Sequence, residues 1–192
     1  MSGFMILFVV PVVIVLVFIG ILYNLYVGVI KNANQAREAL SGIDVQLKKR
    51  HDLIPNILTI AQKFMEHERG IFEEVTKLRT QALNAKSGSK EKFQLEGELN
   101  SKLGQIMVQV ENYPQLKSDA TMTQAMQTYN EVEEHISAAR RFYNSALTQL
   151  RNSITIFPSN IFAGFAGDAR DFQFFSTDEA SKAPVNASSY LK

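Results

Sequence analysis

The sequence predicts an all-α protein: a single N-terminal transmembrane helix continuing into a long-helix antiparallel bundle of three to four helices. Three observations lead there. An uninterrupted apolar run opens the chain, apolar residues then recur in alternating steps of four and three through most of the rest, and turn-forming residues punctuate that pattern at only a few places.

From Phe4 to Leu22 no residue is charged. About 20 apolar residues suffice to cross a hydrocarbon core of ~30 Å as a helix. Tyr23 and Tyr26 follow the run, where an interfacial belt of aromatic residues is expected, and Pro11 lies inside it. The rival reading is a cleaved signal peptide. The run is longer than an h-region, no basic n-region precedes it and no Ala-x-Ala-like site follows, so an uncleaved anchor over residues 4–28 is expected. Residues 1–3 carry no Lys or Arg, whereas Lys31, Arg37, Lys48, Lys49 and Arg50 come soon after the helix. Basic residues stay on the cytoplasmic side, so the expected topology is N-terminus out, with residues 29–175 as a cytoplasmic helical domain.

Positions 43, 47, 50, 54, 57, 61, 64, 68, 71, 75, 78 and 82 are apolar except for Arg50 and Glu68. A seam sustained over that many turns predicts one long first helix, about 29–83, and its register runs back through Leu40, Ala36, Ala33 and Val29 into the anchor. At 1.5 Å per residue such a helix would reach on the order of 80 Å beyond the bilayer. Pro55 is expected to kink it without ending it, because the apolar register continues across the proline. The segment Asn84 to Ser89 reads as a turn. A second helix is expected over about 90–113, with Leu95, Leu99, Leu103, Ile106 and Val110 on its apolar face, before Pro114. A third is expected over about 119–157, capped by Asp119 or Ser118, with a seam from Met122 to Phe157 that includes Glu133 and Arg140. Three amphipathic helices with short connections pack antiparallel. The segment 158–175 is Phe-rich and is expected to close the bundle end as a short helix or wrap. The other reading is an aromatic segment dipping into the membrane interface or docking a neighbouring subunit. A flexible tail is expected over 176–192.

Four charged residues fall on seam positions: Arg50, Glu68, Glu133 and Arg140. A lone charge in a core is costly, so they are expected to pair across helices as a structural polar seam that fixes register. Asp52 and Asn56 flank Pro55 on one helix face and are expected to serve the kink. Gly20, Asn24 and Gly28 recur every four residues at the end of the anchor, a spacing that allows close helix contact in lipid. His51, His67 and His135 form no spacing known for metal ligands, and Glu66-His67-Glu68 lacks the order of a zinc-protease motif. No catalytic, cofactor or metal site is expected. No Gly-rich phosphate loop and no serine nucleophile elbow occur, and the sequence contains no cysteine. The net charge of +1 gives no basis for a nucleic-acid partner. Lys48-Lys49-Arg50 is flanked by Glu38, Asp44 and Asp52 and reads as a solvated, topology-setting run.

Several motifs in order are similar to the LemA family: Ile43-Asp44-Val45-Gln46-Leu47-Lys48-Lys49-Arg50-His51-Asp52-Leu53-Ile54-Pro55-Asn56, then Glu133-x-x-Ile136, Ala139-Arg140-Arg141-Phe142-Tyr143-Asn144, Asn152 and Phe157-Pro158-Ser159-Asn160. Tyr23-Asn24 and Tyr113-Pro114-x-Leu116-Lys117 fit as well, so the resemblance spans about residues 20–165. Glu134 departs from it, standing where relatives often carry Asn. The resemblance implies an N-terminally anchored helical bundle with its domain in the cytoplasm, which places the protein in a bacterial cytoplasmic (inner) membrane. It supplies no reaction; some relatives look connected to membrane organisation or organelle biogenesis. The expected function is therefore a non-enzymatic membrane-anchored scaffold that contacts the lipid bilayer, self-associates as a homo-oligomer, and organises the membrane or recruits a membrane or cytoplasmic protein partner. The alternative is an envelope-stress sensor or adaptor.

Overall fold

Helix-favouring composition and the near absence of breakers carry α1 from Ser2 to Gln62. The computed structural model describes residues 2–176, with side chains from Phe8 onward; no strand occurs among them. The expected tail lies outside the described residues from position 177 on, as does Met1. α1 is long and apolar enough to cross a membrane, and the residues from Phe8 to Ile19 are all exposed. After a 3-10 turn at Glu66–Glu68 come α2 (Arg69–Asn84), α3 (Lys90–Val110), a short α4 (Pro114–Lys117), α5 (Ala120–Thr155) and a 3-10 segment (Ser159–Asp171). Two compact units share these elements. Among the described residues, the first comprises 2–41 and 141–172, the second 42–140 and 173–176.

The second unit is a four-helix bundle made of the 42–62 part of α1, α2, α3 and the 120–140 part of α5. Side-chain bonds fix the antiparallel order. Ser87 Oγ donates to Asp44 Oδ2 and Arg79 Nε to the His51 carbonyl, so α2 lies back along α1. Lys92 Nζ donates to the Ala82 carbonyl and Lys102 pairs with Glu74, which sets α3 against α2. Tyr129 Oη donates to Asn100 Oδ1, which sets α5 against α3. Ile54, Ile57, Ala61, Met65, Phe72, Val75, Leu99, Leu103, Ile106, Leu116, Met122 and Tyr129 fill the core between them.

One expectation is corrected here. The seam predicted one helix through residue 83, whereas the chain turns at residues 63–68 and folds back as a hairpin. The last turn of α1 tightens, with Phe64 N and Met65 N both bonding the Ala61 carbonyl. Folding back lets Ile57, Ala61 and Met65 pack in one core with Phe72 and Val75, burial that a straight helix would leave to outside partners. The fourth helix of the bundle thus comes from the first predicted helix. The Phe-rich segment is divided: residues up to Phe172 belong to the other unit, and residues 173–175 belong to the bundle, where Phe175 stacks on Phe93.

Local signals set the other ends. Ser89 caps α3 by accepting from Lys92 N, and Asp119 caps α5 by accepting from Met122 N at 2.9 Å. α3 stops at Val110, three residues short of the expected end, and Pro114 opens α4. In the first unit, Val29, Ala33, Ala36 and Leu40 of α1 are buried along the expected seam, as are Tyr143, Leu147, Leu150 and Ile154 of α5, whereas Phe157, expected to end that seam, lies past the helix and is exposed. The 3-10 segment is anchored there by Arg37, whose Nη2 donates to the Ala166 carbonyl at 2.7 Å and whose Nε donates to Asp168 Oδ1 at 2.8 Å. Between those contacts Gly167 takes a positive φ of 62°, and a Cβ there would lie 2.9 Å from Arg37 Nη2.

Candidate functional site

The densest polar chemistry in the bundle surrounds Arg50. Its place on the α1 seam aims it inward, and only 2% of its side chain is exposed. Its guanidinium reaches Glu96 Oε2 at 2.5 Å and Glu133 Oε1 at 2.9 Å, and also donates to the Glu96 carbonyl at 3.1 Å. Glu96 is fully buried and its second oxygen lies 2.9 Å from His51 Nε2. Because a carboxylate accepts, Nε2 carries the proton of that pair. Lys92 completes the group, with Nζ 3.8 Å from Glu96 Oε1. Arg50 and Lys92 thus face Glu96 and Glu133, with His51 bonded to Glu96 among them.

Electrostatics follow from this packing. Burial pushes the Glu96 carboxyl up, but the hydrogen bond from His51 and the adjacent Arg50 charge outweigh it and hold the group below its ordinary value of 4.5. Burial works against the Arg50 charge too, and the two carboxylates more than reverse that effect. Tyr129 is pushed up by burial and then by the Glu133 charge. The pairing is nevertheless incomplete: Arg50 Nε and His51 Nδ1 are buried without a protein hydrogen-bond partner.

A cleft of about 260 Å³ opens onto this network, lined by Arg50, Glu96, Asn100, Glu133 and Arg140. Phe175 borders it too, with the Arg140 guanidinium carbon 5.8 Å from its ring centroid. His51 is 1% exposed, so its free nitrogen lies out of solvent reach, and the two carboxylates are engaged by Arg50. The arrangement is suited to locking α1, α3 and α5 in register.

Of the four seam charges, the structure brings together Arg50 and Glu133 and places Arg140 on the same cleft. Glu68 lies in the 3-10 turn, half-buried and away from them. Around Pro55 the outcome is specific. The proline has no N–H for the His51 carbonyl four residues earlier, and Arg79 Nε donates to that carbonyl at 2.8 Å. Asp52 instead pairs with Lys48 on the solvent side, where the hydrogen bond lowers its pKa, and Asn56 is exposed. Asn24 donates to the Gly20 carbonyl of its own helix at 2.9 Å, and the Cβ positions of Gly20 and Gly28 face open space.

Sequence reasoning missed Glu96, His51, Lys92 and Arg79. A signal for two of them was present. Stepping back from Leu103 and Leu99 in threes and fours reaches Glu96 and Lys92, whereas the apolar face chosen on α3 passed through the half-buried Leu95.

The chain is 24% identical to magnetosome protein MamQ 2 of Paramagnetospirillum magneticum over 204 residues, covering 93% of this chain and 75% of that protein. It is 25% identical to protein LemA of Metamycoplasma hominis, covering 88% of this chain and 79% of the relative. Magnetosome protein MamQ of Magnetospirillum gryphiswaldense is 22% identical, with 85% and 68% covered. The LemA family model matches residues 39–188, which include the bundle and its Arg50 network. On that match the chain belongs to the LemA family.

Proposed function

We propose that this protein is a non-enzymatic, membrane-anchored helical scaffold that self-associates and presents its bundle to partners at a bacterial inner membrane. The observation that carries the reading is the exposure of the whole apolar stretch from Phe8 to Ile19. That much apolar surface is unstable in water and suited to hydrocarbon. The LemA family match and the relatives named as magnetosome proteins support a role at membranes. The mutual engagement of Arg50, Glu96, Glu133 and His51 supports a structural role for the buried charges.

Self-association rests on Gly20 and Gly28, where nothing lies within 4 Å of the Cβ positions and a second helix has room to approach. Light scattering of the full chain in mild detergent tests it. A discrete oligomer that dissociates in a Gly20→Leu/Gly28→Leu variant is the expected result, and a monomer at all concentrations would refute it. Protease digestion of sealed inner-membrane vesicles tests topology, with the bundle expected on the cytoplasmic face.

A further inference from the structure

The 3-10 segment and the end of α5 expose an unusual amount of apolar surface. Ile156 is 57% exposed, Phe157 77%, Ile161 65% and Phe165 59%. No Asp, Glu, Lys or Arg occurs between Ile156 and Gly167, so the patch carries no charge to hold it in water. Its position is fixed within the first unit. Tyr26 of α1 meets the rings of Phe162 and Phe165 edge-on, with centroids 5.9 and 5.0 Å away. Arg37 holds the following residues, and Arg151 Nη2 donates to the Phe172 carbonyl. The patch is therefore tied to the helix at Tyr26. That residue lies four positions past the end of the apolar run at Leu22, or about 6 Å along the helix axis.

We infer that Ile156, Phe157, Ile161 and Phe165 form an apolar foot that inserts into the headgroup–acyl boundary of the bilayer beside the exit of α1. The inference rests on reading α1 as a membrane span. If residues up to Leu22 lie in hydrocarbon, Tyr26 sits at headgroup level, the depth at which aromatic rings and amphipathic elements settle. The occupant is lipid because the patch adjoins the apolar surface that already requires lipid. Being tethered there, the foot pays little extra orientational cost to insert. Its aromatic and branched aliphatic side chains, free of charge, match that boundary.

The sequence has no cysteine, so single Cys variants of the full chain can be labelled with an environment-sensitive fluorophore and reconstituted into phosphatidylcholine–phosphatidylglycerol vesicles. Phe157→Cys and Ile161→Cys report the foot and Val13→Cys the span. Val108→Cys, at a residue 71% exposed in the bundle, reports water. With spin-labelled lipids carrying the quencher near the headgroup, labels at 157 and 161 are expected to lose roughly half their emission, while the label at 108 is unchanged. The label at 13 is expected to respond to a quencher deep in the acyl chain. Quenching at 13 with water-like behaviour at 157 and 161 would overturn the foot and leave the span standing. A blue-shifted but unquenched label at 157 and 161 would mean that protein, such as a second copy, covers the patch, and would also overturn it. An unquenched label at 13 would remove the span and the foot together.

Discussion

Arg50 and Arg37 each tie α1 to residues far along the chain, one in the bundle and one in the other unit. Arg50 reaches Glu96 and Glu133 and is 2% exposed; Arg37 reaches Asp168 with 36% of its side chain exposed and its partner 70% exposed. The chemistry is the same and the surroundings differ. In the bundle, removing one partner strands desolvated charges, so the network is costly to break whatever its net contribution when intact. At Arg37 water and salt substitute for the lost pair, and the useful contacts are geometric: a hydrogen bond donated to the Ala166 carbonyl and a turn that only glycine makes easily at 167. Burial, more than the number of ion pairs, determines which contact holds a unit together.

The largest effect is expected for Arg50→Ala. Urea denaturation of the full chain in mild detergent, followed by circular dichroism, should show a loss of about 3–5 kcal/mol, since Glu96 and Glu133 remain without their cation. An unchanged midpoint would erase the contrast between the two arginines. The network should also show itself in acid. The folded Glu96 carboxyl lies below its ordinary value of 4.5, so its contribution is present above that range and is lost as pH falls through the folded pKa. The wild-type midpoint should therefore drop as pH falls below 4.5, and Glu96→Gln should flatten that limb while lowering stability at pH 7.

In the other unit, Gly167→Ala is expected to cost about 1–2 kcal/mol, from the positive φ and from displacing Arg37 Nη2. Smallest of all, Arg37→Ala should lower the unfolding free energy by less than about 1 kcal/mol, with the difference shrinking further in high salt. A salt-insensitive loss as large as that of Arg50→Ala would show that the first unit depends on its exposed pair after all.

Much of the architecture could be read from hydrophobic periodicity, and the part that could not has a definite cause. A seven-residue repeat specifies which face is buried, but it is silent about what buries it. Ile54, Ile57 and Ala61 on one side and Val75 and Ala82 on the other keep the repeat across residues 63–68, so the turn left no trace in the seam. What marked it was weak: the polar run Glu66 to Arg69 followed by Gly70. The site was half legible for a similar reason. Arg50 and Glu133 stood out as charges among apolar neighbours, whereas Glu96 required choosing the face through Leu99 and Lys92 over the one through Leu95. His51 could not be found by spacing. It adjoins Arg50 on α1 and its partner lies on another helix, a relation that only the packed bundle creates.

The carbonyl of His51 gives Pro55 a second meaning. A proline inside a helix is usually considered a defect, yet here the acceptor it leaves open is a docking point for Arg79 on α2. A straight rod through residue 83 would place residue 79 some 40 Å from residue 51 along the axis, leaving that carbonyl without its donor. The fold-back alone joins the two. One missing N–H thus helps decide between two conformations that the apolar repeat alone leaves nearly equivalent, and it marks where along α1 the returning helix comes to rest.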